Sequence, residues 1–269
     1  MTLAEVLKGA VDYLSTRGIE TPRLDAELIL ARALGLQRIE LYTQHDRPLT
    51  DAERAEARDL IRRRGAREPL AYVIGDWGFR RLTLKTDKRA LVPRPETEIV
   101  VERCLKLLEE TAAPRIVDVG TGTGAIALAL KHERPDARVI ATDRSADALA
   151  LAWENARMTG IDVELRQADL IDGLTGPFDL VVSNPPYVRA DELEALAPEL
   201  AHEPVEALVD RGQTERLIET ARFGWLVLEI HEARGAAIAD RLEAAGYEDV
   251  RVSKDLAGRD RIVEGRWIP

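Results

Sequence analysis

The side chains best suited to chemistry lie in Ser183-Asn184-Pro185-Pro186-Tyr187, directly after an apolar run. The two prolines cannot donate backbone hydrogen bonds or continue a strand ladder, so they form a stiff turn that presents carbonyl acceptors. Such a turn suits a planar NH2 group: the Asn184 side-chain oxygen and the Pro185 carbonyl each accept one hydrogen, and Tyr187 stacks on the plane. The alternative is a loop that ends a strand and buries a tyrosine.

With both hydrogens held, such a nitrogen can be aimed at an electrophilic methyl group for in-line displacement. An amide nitrogen is a poor nucleophile because its lone pair is conjugated with the carbonyl, so orientation and polarisation must supply much of the catalysis. This chemistry requires neither a metal nor a covalent enzyme nucleophile. The four histidines show no metal-ligand spacing with the single cysteine, and we predict no metal site.

A glycine-rich turn, Gly120-Thr121-Gly122-Thr123-Gly124, follows the apolar segment that contains Asp118. Glycines allow a tight turn and a close approach of a ligand to the backbone. Asp143 ends the next apolar segment, 19 residues after Gly124, where a carboxylate can accept both hydroxyls of a ribose. The GxGxG spacing departs from the GxGxxG pattern, whose helix receives a pyrophosphate. S-adenosylmethionine has a sulfonium and no phosphate, and it therefore suits this acidic turn. The alternatives are that the turn binds NAD or that it binds no ligand.

Two further candidates, Asp169 and Leu170, follow the third apolar segment. Asp169 is placed to accept a hydrogen bond from an adenine amino group, and Leu170 can pack on the adenine face. A helix-capping role is the alternative for Asp169.

These side chains require a scaffold in which strands alternate with helices, and the hydrophobic pattern after Pro95 predicts one. Alternating strands and helices imply a doubly wound parallel sheet, and a closing hairpin implies an antiparallel last strand. The predicted strands are Arg115–Val119, Ala137–Thr142, Val163–Gln167, Phe178–Ser183, Trp225–Ile230, Tyr247–Ser253 and Arg261–Trp267. The predicted helices are Ala125–Glu133, Ser145–Met158 and about Glu232–Ala245.

The first ~65 residues have a different pattern, with apolar residues at helical spacing. One helix begins near Leu3, a second begins at Thr21-Pro22 and stops at Gly35, and a third runs from about Asp51 to Arg64. Short β-like pieces with two glycines follow, which predict a hairpin linker. We therefore divide the chain into a helical domain (1–71), a β-hairpin linker (72–92) and a catalytic domain (93–269).

Composition narrows the class of protein further. No apolar run among the 269 residues approaches the ~20 that a membrane span needs, and residues 1–14 lack the features of a signal peptide. The single cysteine, Cys104, together with these features predicts a cytoplasmic protein.

Residues 1–90 carry 17 Lys and Arg against 14 Asp and Glu, whereas residues 91–269 carry 21 against 34. The acidic larger part disfavours broad recognition of nucleic acid and favours a basic protein partner or a cationic ligand.

The chain resembles the N5-glutamine methyltransferases of class I peptide-chain release factors over nearly its whole length. Asn-Pro-Pro-Tyr alone is shared with enzymes that methylate amino groups of DNA and RNA, so further motifs carry the resemblance. They are Thr21-Pro22-Arg23-Leu24-Asp25-Ala26-Glu27, Glu68-Pro69-Leu70-Ala71-Tyr72, Leu91-Val92-Pro93-Arg94-Pro95-Glu96-Thr97-Glu98 and Lys254-Asp255-Leu256-Ala257-Gly258-Arg259-Asp260-Arg261.

The resemblance implies an α/β fold: a seven-stranded, Rossmann-like class I methyltransferase domain after a small helical bundle and a β-hairpin. It implies S-adenosylmethionine as cofactor, held by Gly120–Gly124, Asp143, Leu170 and Asn184. It also implies that Asn184–Tyr187 bind the glutamine of the release factor's Gly-Gly-Gln loop, and that the bundle helps to dock that factor. The stretch Leu91–Thr97 is expected near the pocket mouth.

Three alternatives remain open at this point. The substrate can instead be a glutamine of a ribosomal protein, or an amino group of a nucleic-acid base, although the acidic balance disfavours the latter. A silent adenosylmethionine-binding adaptor is the third, and the intact Asn184–Tyr187 motif argues against it. We expect a monomer with no membrane partner and no direct nucleic-acid substrate.

Overall fold

The computed structural model describes residues 1–268, which form two compact units. The first unit is Met1–Asp76 together with Ala197–His202, and the second is Trp77–Leu196 together with the residues from Glu203 onward. The chain thus leaves the second unit after Leu196 and returns to it at Glu203. Within the described range, no helix has the length and apolar character needed to cross a membrane.

The first unit is the predicted helical bundle, and local capping sets where its helices begin. Thr2 and Thr50 each accept the backbone N–H of a glutamate three residues on, and that glutamate bonds back to the threonine N–H. Pro22 lies in the first turn of the second helix, which ends at the left-handed Gly35. The helices are α1 (Leu3–Thr16), α2 (Pro22–Leu34), α3 (Glu40–Thr43), α4 (Asp51–Gly65) and α5 (Leu70–Ile74).

A buried ion pair joins α2 to α4 inside this unit. Arg64 Nε donates to Asp25 Oδ2 at 2.6 Å, and Arg64 Nη1 donates to Glu199 Oε1 at 2.9 Å. Arg67 Nη2 donates to the other oxygen of Glu199 at 2.8 Å. The Arg64–Asp25 pair is buried, whereas the Glu199 side chain is 21% exposed. Through its two arginine partners, Glu199 connects residues 197–202 to the end of α4 and the residues just after it.

The predicted hairpin consists of β1 (Asp76–Phe79) and β2 (Leu82–Lys85), and all of it except Asp76 belongs to the second unit. A seven-stranded sheet follows. The strand order is β5-β4-β3-β6-β7-β9-β8; the first five are parallel, and β9 is antiparallel to both of its neighbours. This is the predicted doubly wound sheet with an antiparallel last strand. Its strands are β3 (Arg115–Val119), β4 (Arg138–Asp143), β5 (Glu164–Gln167), β6 (Leu180–Ser183), β7 (Trp225–Glu229), β8 (Glu248–Lys254) and β9 (Asp260–Arg266).

Helices cover both faces of the sheet, so its central strands read as continuous apolar runs. Successive residues of β3 show this: Ile116 packs in one core with Val100 and Leu128, and Val117 packs in the other with Leu217 and Ile238. The helices are α6 (Pro95–Leu107), α7 (Ala125–Glu133), α8 (Ala146–Thr159), α9 (Val205–Leu208), α10 (Gln213–Thr220) and α11 (Gly235–Ala245).

Candidate active site

The glycine-rich turn joins β3 to α7 through backbone angles that favour glycine. Gly120, Gly122 and Gly124 have φ of 70°, 56° and 84°. A Cβ at Gly120 would meet no atom within 4 Å, so the backbone there is open to a ligand. The N–H groups of Gly120 and Thr121 each donate to the Thr142 carbonyl at 2.9 Å, which ties the turn to β4.

Asp143 ends β4 and holds the same turn with its side chain. Its Oδ2 accepts the Gly122 N–H at 3.0 Å, and its Oδ1 accepts the Ser145 N–H at 2.9 Å. Burial raises the pKa of the Asp143 carboxyl, and the two N–H groups act in the opposite direction. Each oxygen keeps a further lone pair, so the carboxylate can still accept two hydroxyl groups.

Asp118 is fully buried in β3 and supports the turn from inside the protein. Its Oδ2 accepts the Thr121 hydroxyl at 2.6 Å and the Ala127 N–H at 3.1 Å. Its Oδ1 has no hydrogen-bond partner among the described residues, and burial raises the pKa of Asp118 to about 7, with Asp143 adding to the rise. Asp118 therefore fixes the turn to α7.

A cavity of about 410 Å³ lies at the carboxyl ends of β3, β4 and β6, the edge at which parallel sheets place ligands. It brings most of the predicted site residues together. Those lining it are Gly120, Thr121, Gly122, Thr123, Asp143, Asp169, Leu170, Asn184, Pro185 and Pro186. Gly124 is not in the lining; it caps α7, where a Cβ would lie 3.2 Å from Leu128 and 3.3 Å from Ala152.

Asp169 and Leu170 form the wall that follows β5. Asp169 is about half exposed, and its Oδ2 accepts Arg216 Nη2 at 2.8 Å. Leu170 has a φ of 55°, which is uncommon for a non-glycine residue. Its carbonyl accepts the Thr142 hydroxyl at 2.8 Å, and this bond holds the strained conformation at the cavity wall.

Asn184 lies on the cavity directly after β6, and Pro185 and Pro186 continue the same wall. Its Nδ2 donates to Thr97 Oγ1 at 3.3 Å. Ser183 Oγ donates to the Val119 carbonyl at 2.7 Å and fixes the end of β6 against β3. The strand therefore positions Asn184 rigidly at its entry to the turn.

Tyr187 lies outside this lining. Its ring centroid is 6.0 Å from that of His231, with the planes inclined by 51°. Burial raises the pKa of Tyr187, and the nearby Glu229 carboxylate adds to the rise. The predicted stacking of Tyr187 on a substrate amide stays a prediction.

Glu203 does not line the cavity, but it supports residues that do, a role that sequence reasoning missed. It is buried, its Oε2 accepts the Val92 N–H at 3.1 Å, and its Oε1 accepts Arg94 Nη2 at 2.5 Å. Glu203 thereby holds the loop 91–94, which lines the cavity as expected for the pocket mouth. No spacing pattern links Glu203 with residues more than a hundred positions earlier, so the sequence carried no signal for this role.

Comparison with known proteins agrees with these features. Residues 5–75 match the family model described as the PrmC N-terminal domain, and residues 97–221 match the methyltransferase small domain. A Deinococcus radiodurans protein named release factor glutamine methyltransferase is 40% identical over 277 residues and is aligned over 99% of each chain. A Salmonella typhimurium protein of the same name is 39% identical over 264 residues, covering 94% of this chain and 95% of that protein.

Solved structures give the fold. The hMettl16 catalytic domain in complex with a 3′UTR hairpin superposes with a TM-score of 0.57 at 14% identity. The matched region covers 70% of this chain and 76% of the hMettl16 chain. A T. thermophilus 16S rRNA methyltransferase in complex with AdoMet and guanosine has a TM-score of 0.53 at 14% identity, covering 72% of this chain and 50% of its own. The fold is that of a class I methyltransferase, and the near full-length relatives show that the chain belongs to the family of release factor glutamine methyltransferases.

Proposed function

We propose that the protein transfers a methyl group from S-adenosylmethionine to the glutamine side chain of the Gly-Gly-Gln motif in class I peptide chain release factors, giving N5-methylglutamine. The observation that carries this proposal is that Asn184 and Pro185 line the same cavity as the glycine turn and Asp143. The relatives that match nearly the whole chain are named for this reaction, which supports the substrate class.

The cavity fits S-adenosylmethionine in the chemistry of its lining. When bound, this cofactor supplies a methyl group on a positively charged sulfur. Asp143 would accept the ribose hydroxyls, and the turn from Gly120 to Gly122 allows a close approach because no Cβ intervenes. The ion pair with Arg216 uses Oδ2 of Asp169, so Oδ1 would accept the adenine amino group beside Leu170.

The Asn-Pro-Pro-Tyr turn would hold the glutamine amide. The Asn184 side-chain oxygen and the Pro185 carbonyl accept the two N–H hydrogens and fix the plane of the amide. The nitrogen is then held in line with the methyl group, and this orientation replaces the activation that a conjugated amide nitrogen lacks. Tyr187 would close over the amide plane, which requires its ring to approach the cavity.

Glutamine methylation of a ribosomal protein and amino-methylation of a base are less favoured substrates. The part of the chain from residue 91 onward has 34 acidic against 21 basic residues, and so would repel a nucleic-acid backbone. The names of the near full-length relatives favour a release factor over a ribosomal protein.

We assign the helical domain, residues 1–71, to docking the release factor, with the hairpin linker 72–92 leading to the catalytic domain 93–269. The match of residues 5–75 to a family-specific N-terminal model supports a role beyond general methyltransferase chemistry. The enzyme is proposed to act as a monomer in the cytoplasm, where translation takes place.

Labelling tests the substrate assignment. Purified enzyme is given tritiated S-adenosylmethionine with release factor, total ribosomal protein or RNA in separate reactions, and mass spectrometry locates the methyl group. We expect label on the Gly-Gly-Gln glutamine of the release factor. Label on a ribosomal protein or RNA, with none on the factor, would reject the proposal.

A further inference from the structure

The turn between β8 and β9 is formed by the motif Lys254–Arg261, whose residues do not line the cavity. It carries the most exposed large apolar side chain in the described part of the chain. Leu256 is 101% exposed, whereas the next two, Ile39 and Met1, are 65% and 64% exposed. The two residues that follow Leu256 are exposed as well. We call Leu256-Ala257-Gly258 the Leu256 tip.

Asp255 fixes this turn from inside the protein. The residue is 8% exposed, and its Oδ1 accepts the N–H groups of Ala257 at 2.9 Å and Arg259 at 3.0 Å. Its Oδ2 accepts Arg259 Nε at 3.1 Å and Arg261 Nη2 at 3.3 Å. These four bonds use both carboxylate oxygens. The backbone that carries the Leu256 tip is therefore held in one conformation, although its leucine side chain packs on no described residue.

Arg259 also connects the turn to residues beside the cavity. Its Nη2 lies 3.9 Å from Glu96 Oε1, in the first turn of α6. Arg94 and Thr97, on either side of the pair Pro95-Glu96, both line the cavity. The Leu256 tip therefore stands next to the part of the cavity wall that the loop 91–94 forms.

The chemistry of the Leu256 tip differs from that of the surface around it. Residues 91–269 carry 34 acidic and 21 basic side chains, but the three residues of the tip carry none. An uncharged leucine gains free energy by leaving water and gains none from a phosphate backbone. The surface that matches it is an apolar hollow on a protein. A glutamine that enters the cavity brings the protein that carries it against the residues beside the cavity.

We propose that the Leu256 tip is a docking contact for the folded release factor, and that Leu256 enters an apolar hollow of the factor near its Gly-Gly-Gln loop. The inference rests on the proposed function, in which the glutamine of that loop enters the cavity. Because Asp255 already holds the turn, the contact costs little further conformational freedom on binding. The catalytic domain thus has a contact with the factor that is separate from the helical domain.

A pair of variants at Leu256 tests this contact. We expect kcat/KM for the folded factor to fall about tenfold in Leu256→Ala and to stay within about threefold in Leu256→Met, which keeps an apolar side chain of similar size. The kcat/KM for a short Gly-Gly-Gln peptide, which fills only the cavity, should not change in either. Wild-type kcat/KM for the factor in Leu256→Ala, or an equal fall with factor and peptide, would overturn the proposal.

Met158→Ala is the matched control for the loss of an exposed apolar side chain. Met158 is 57% exposed near the carboxyl end of α8, and it does not line the cavity. This variant should retain wild-type kcat/KM with both substrates. A tenfold fall for the factor in Met158→Ala as well would show that the effect is not specific to the Leu256 tip, and would overturn the proposal.

Crosslinking tests the contact without an activity measurement. The chain has one cysteine, Cys104, which is buried, so Leu256→Cys carries a single exposed thiol. After labelling with benzophenone maleimide and irradiation, we expect capture of the purified release factor at residues near its Gly-Gly-Gln loop. Met158→Cys, labelled in the same way, should capture little. Equal capture from the two positions would overturn the proposal.

Failure of the proposed function and failure of the docking contact show in different measurements. Wild-type enzyme that leaves the factor unmethylated would reject the proposed function, whereas crosslinking still reports whether the Leu256 tip contacts the factor. A second copy of this chain is the other possible occupant, and sedimentation of wild type and Leu256→Asp tests it. We expect both to sediment as monomers. A wild-type dimer that is lost in Leu256→Asp would assign the tip to a contact between copies and overturn the proposal.

Discussion

The Asp143 carboxylate accepts the N–H groups of Gly122 and Ser145 and still faces the cavity. We expect Asp143→Ala to weaken S-adenosylmethionine binding by about 1.5–3 kcal/mol, the range for hydrogen bonds to a charged group. Calorimetry measures the loss. Asp147→Ala, which removes an exposed carboxylate from the first turn of α8, is the matched control and should bind normally. Normal affinity in a folded Asp143→Ala protein would place the ribose elsewhere.

Asn184 is expected to act on the transition state more than on cofactor binding, because it orients the reacting nitrogen. Asn184→Ala should lower turnover by roughly a hundredfold or more, with a smaller effect on cofactor affinity. Single-turnover rates at saturating substrate give the first quantity, and calorimetry gives the second. Rates within a few-fold of wild type would contradict the orienting role.

Asp118 should make stability depend on pH in a defined direction. Its folded-state pKa of about 7 lies above the ordinary value of 3.8, so its contribution to stability is full at low pH and is lost as the pH rises between these values. Asp118→Asn cannot ionise and keeps an oxygen for Thr121 and Ala127. The stability of this variant relative to wild type should therefore increase from about pH 4 to about pH 7 and then level off. Urea unfolding at several pH values measures this difference, and a constant difference would show that Asp118 does not titrate in this range.

Local spacing was enough to predict the residues that sit at strand ends. Asp143 and Asn184 each follow an apolar strand, and the glycine turn follows a third, so the topology of a parallel sheet brings them to one edge. Glu203 could not be predicted in the same way. Its role depends on hydrogen bonds to the loop 91–94, which only the folded chain brings near.

The β1–β2 hairpin turns at Arg80, which has a φ of 50°. The Arg80 guanidinium donates two hydrogen bonds to the Glu133 carboxylate, from Nε to Oε1 at 2.5 Å and from Nη2 to Oε2 at 2.8 Å. Arg80→Ala and Arg80→Gly remove the same ion pair, but glycine adopts this φ without the cost of about 1–2 kcal/mol that a Cβ brings. A protein with glycine inside a helix or strand is ordinarily about 0.5–1 kcal/mol less stable than one with alanine there. At this positive φ we instead expect Arg80→Gly to be at least as stable as Arg80→Ala. Chemical denaturation compares them. The ordinary ranking, with alanine more stable, would show that the turn relaxes to a negative φ.

The bounds of helices and strands were predicted most closely where glycines or other turn residues mark their ends. The bounds of β3 and α7 agree with the predictions at both ends, because an apolar run meets the glycine turn between them. Other strands shift by one or two residues, as at β6, which begins at Leu180 and not at Phe178. No helix is predicted over α6, although Pro95 stands in its first turn and Val100, Val101 and Cys104 are buried at helical spacing.

At the scale of the whole molecule, we expect a folded release factor to be a far better substrate than a short Gly-Gly-Gln peptide. The peptide must lose conformational entropy on ordering and gains no second contact, so we expect kcat/KM at least about tenfold lower. Comparing kcat/KM for the two substrates tests this. Equal efficiencies would reject a docking role for the helical domain.

The same comparison at several salt concentrations tests the charge complementarity. Residues 91–269 have an excess of 13 acidic side chains, from 34 acidic and 21 basic, so part of the docking should be electrostatic. Methylation of the folded factor should slow as salt rises, while the peptide reaction changes less. If kcat/KM for the folded release factor did not change with salt concentration, docking would not depend on charge.

The passage of residues 197–202 through the first unit also bears on how the protein folds while it is being synthesised. Arg64 leaves the ribosome 135 residues before Glu199, and Arg67 leaves it 132 residues before. At about 5–20 residues per second, the nascent bundle waits roughly 7–27 s for this partner. Its helices can form early, but two of its cations stay incompletely neutralised until the glycine turn and Asn-Pro-Pro-Tyr have also been translated. Completion of the amino-terminal unit is therefore a late event of biosynthesis, and it follows the translation of most of the cavity.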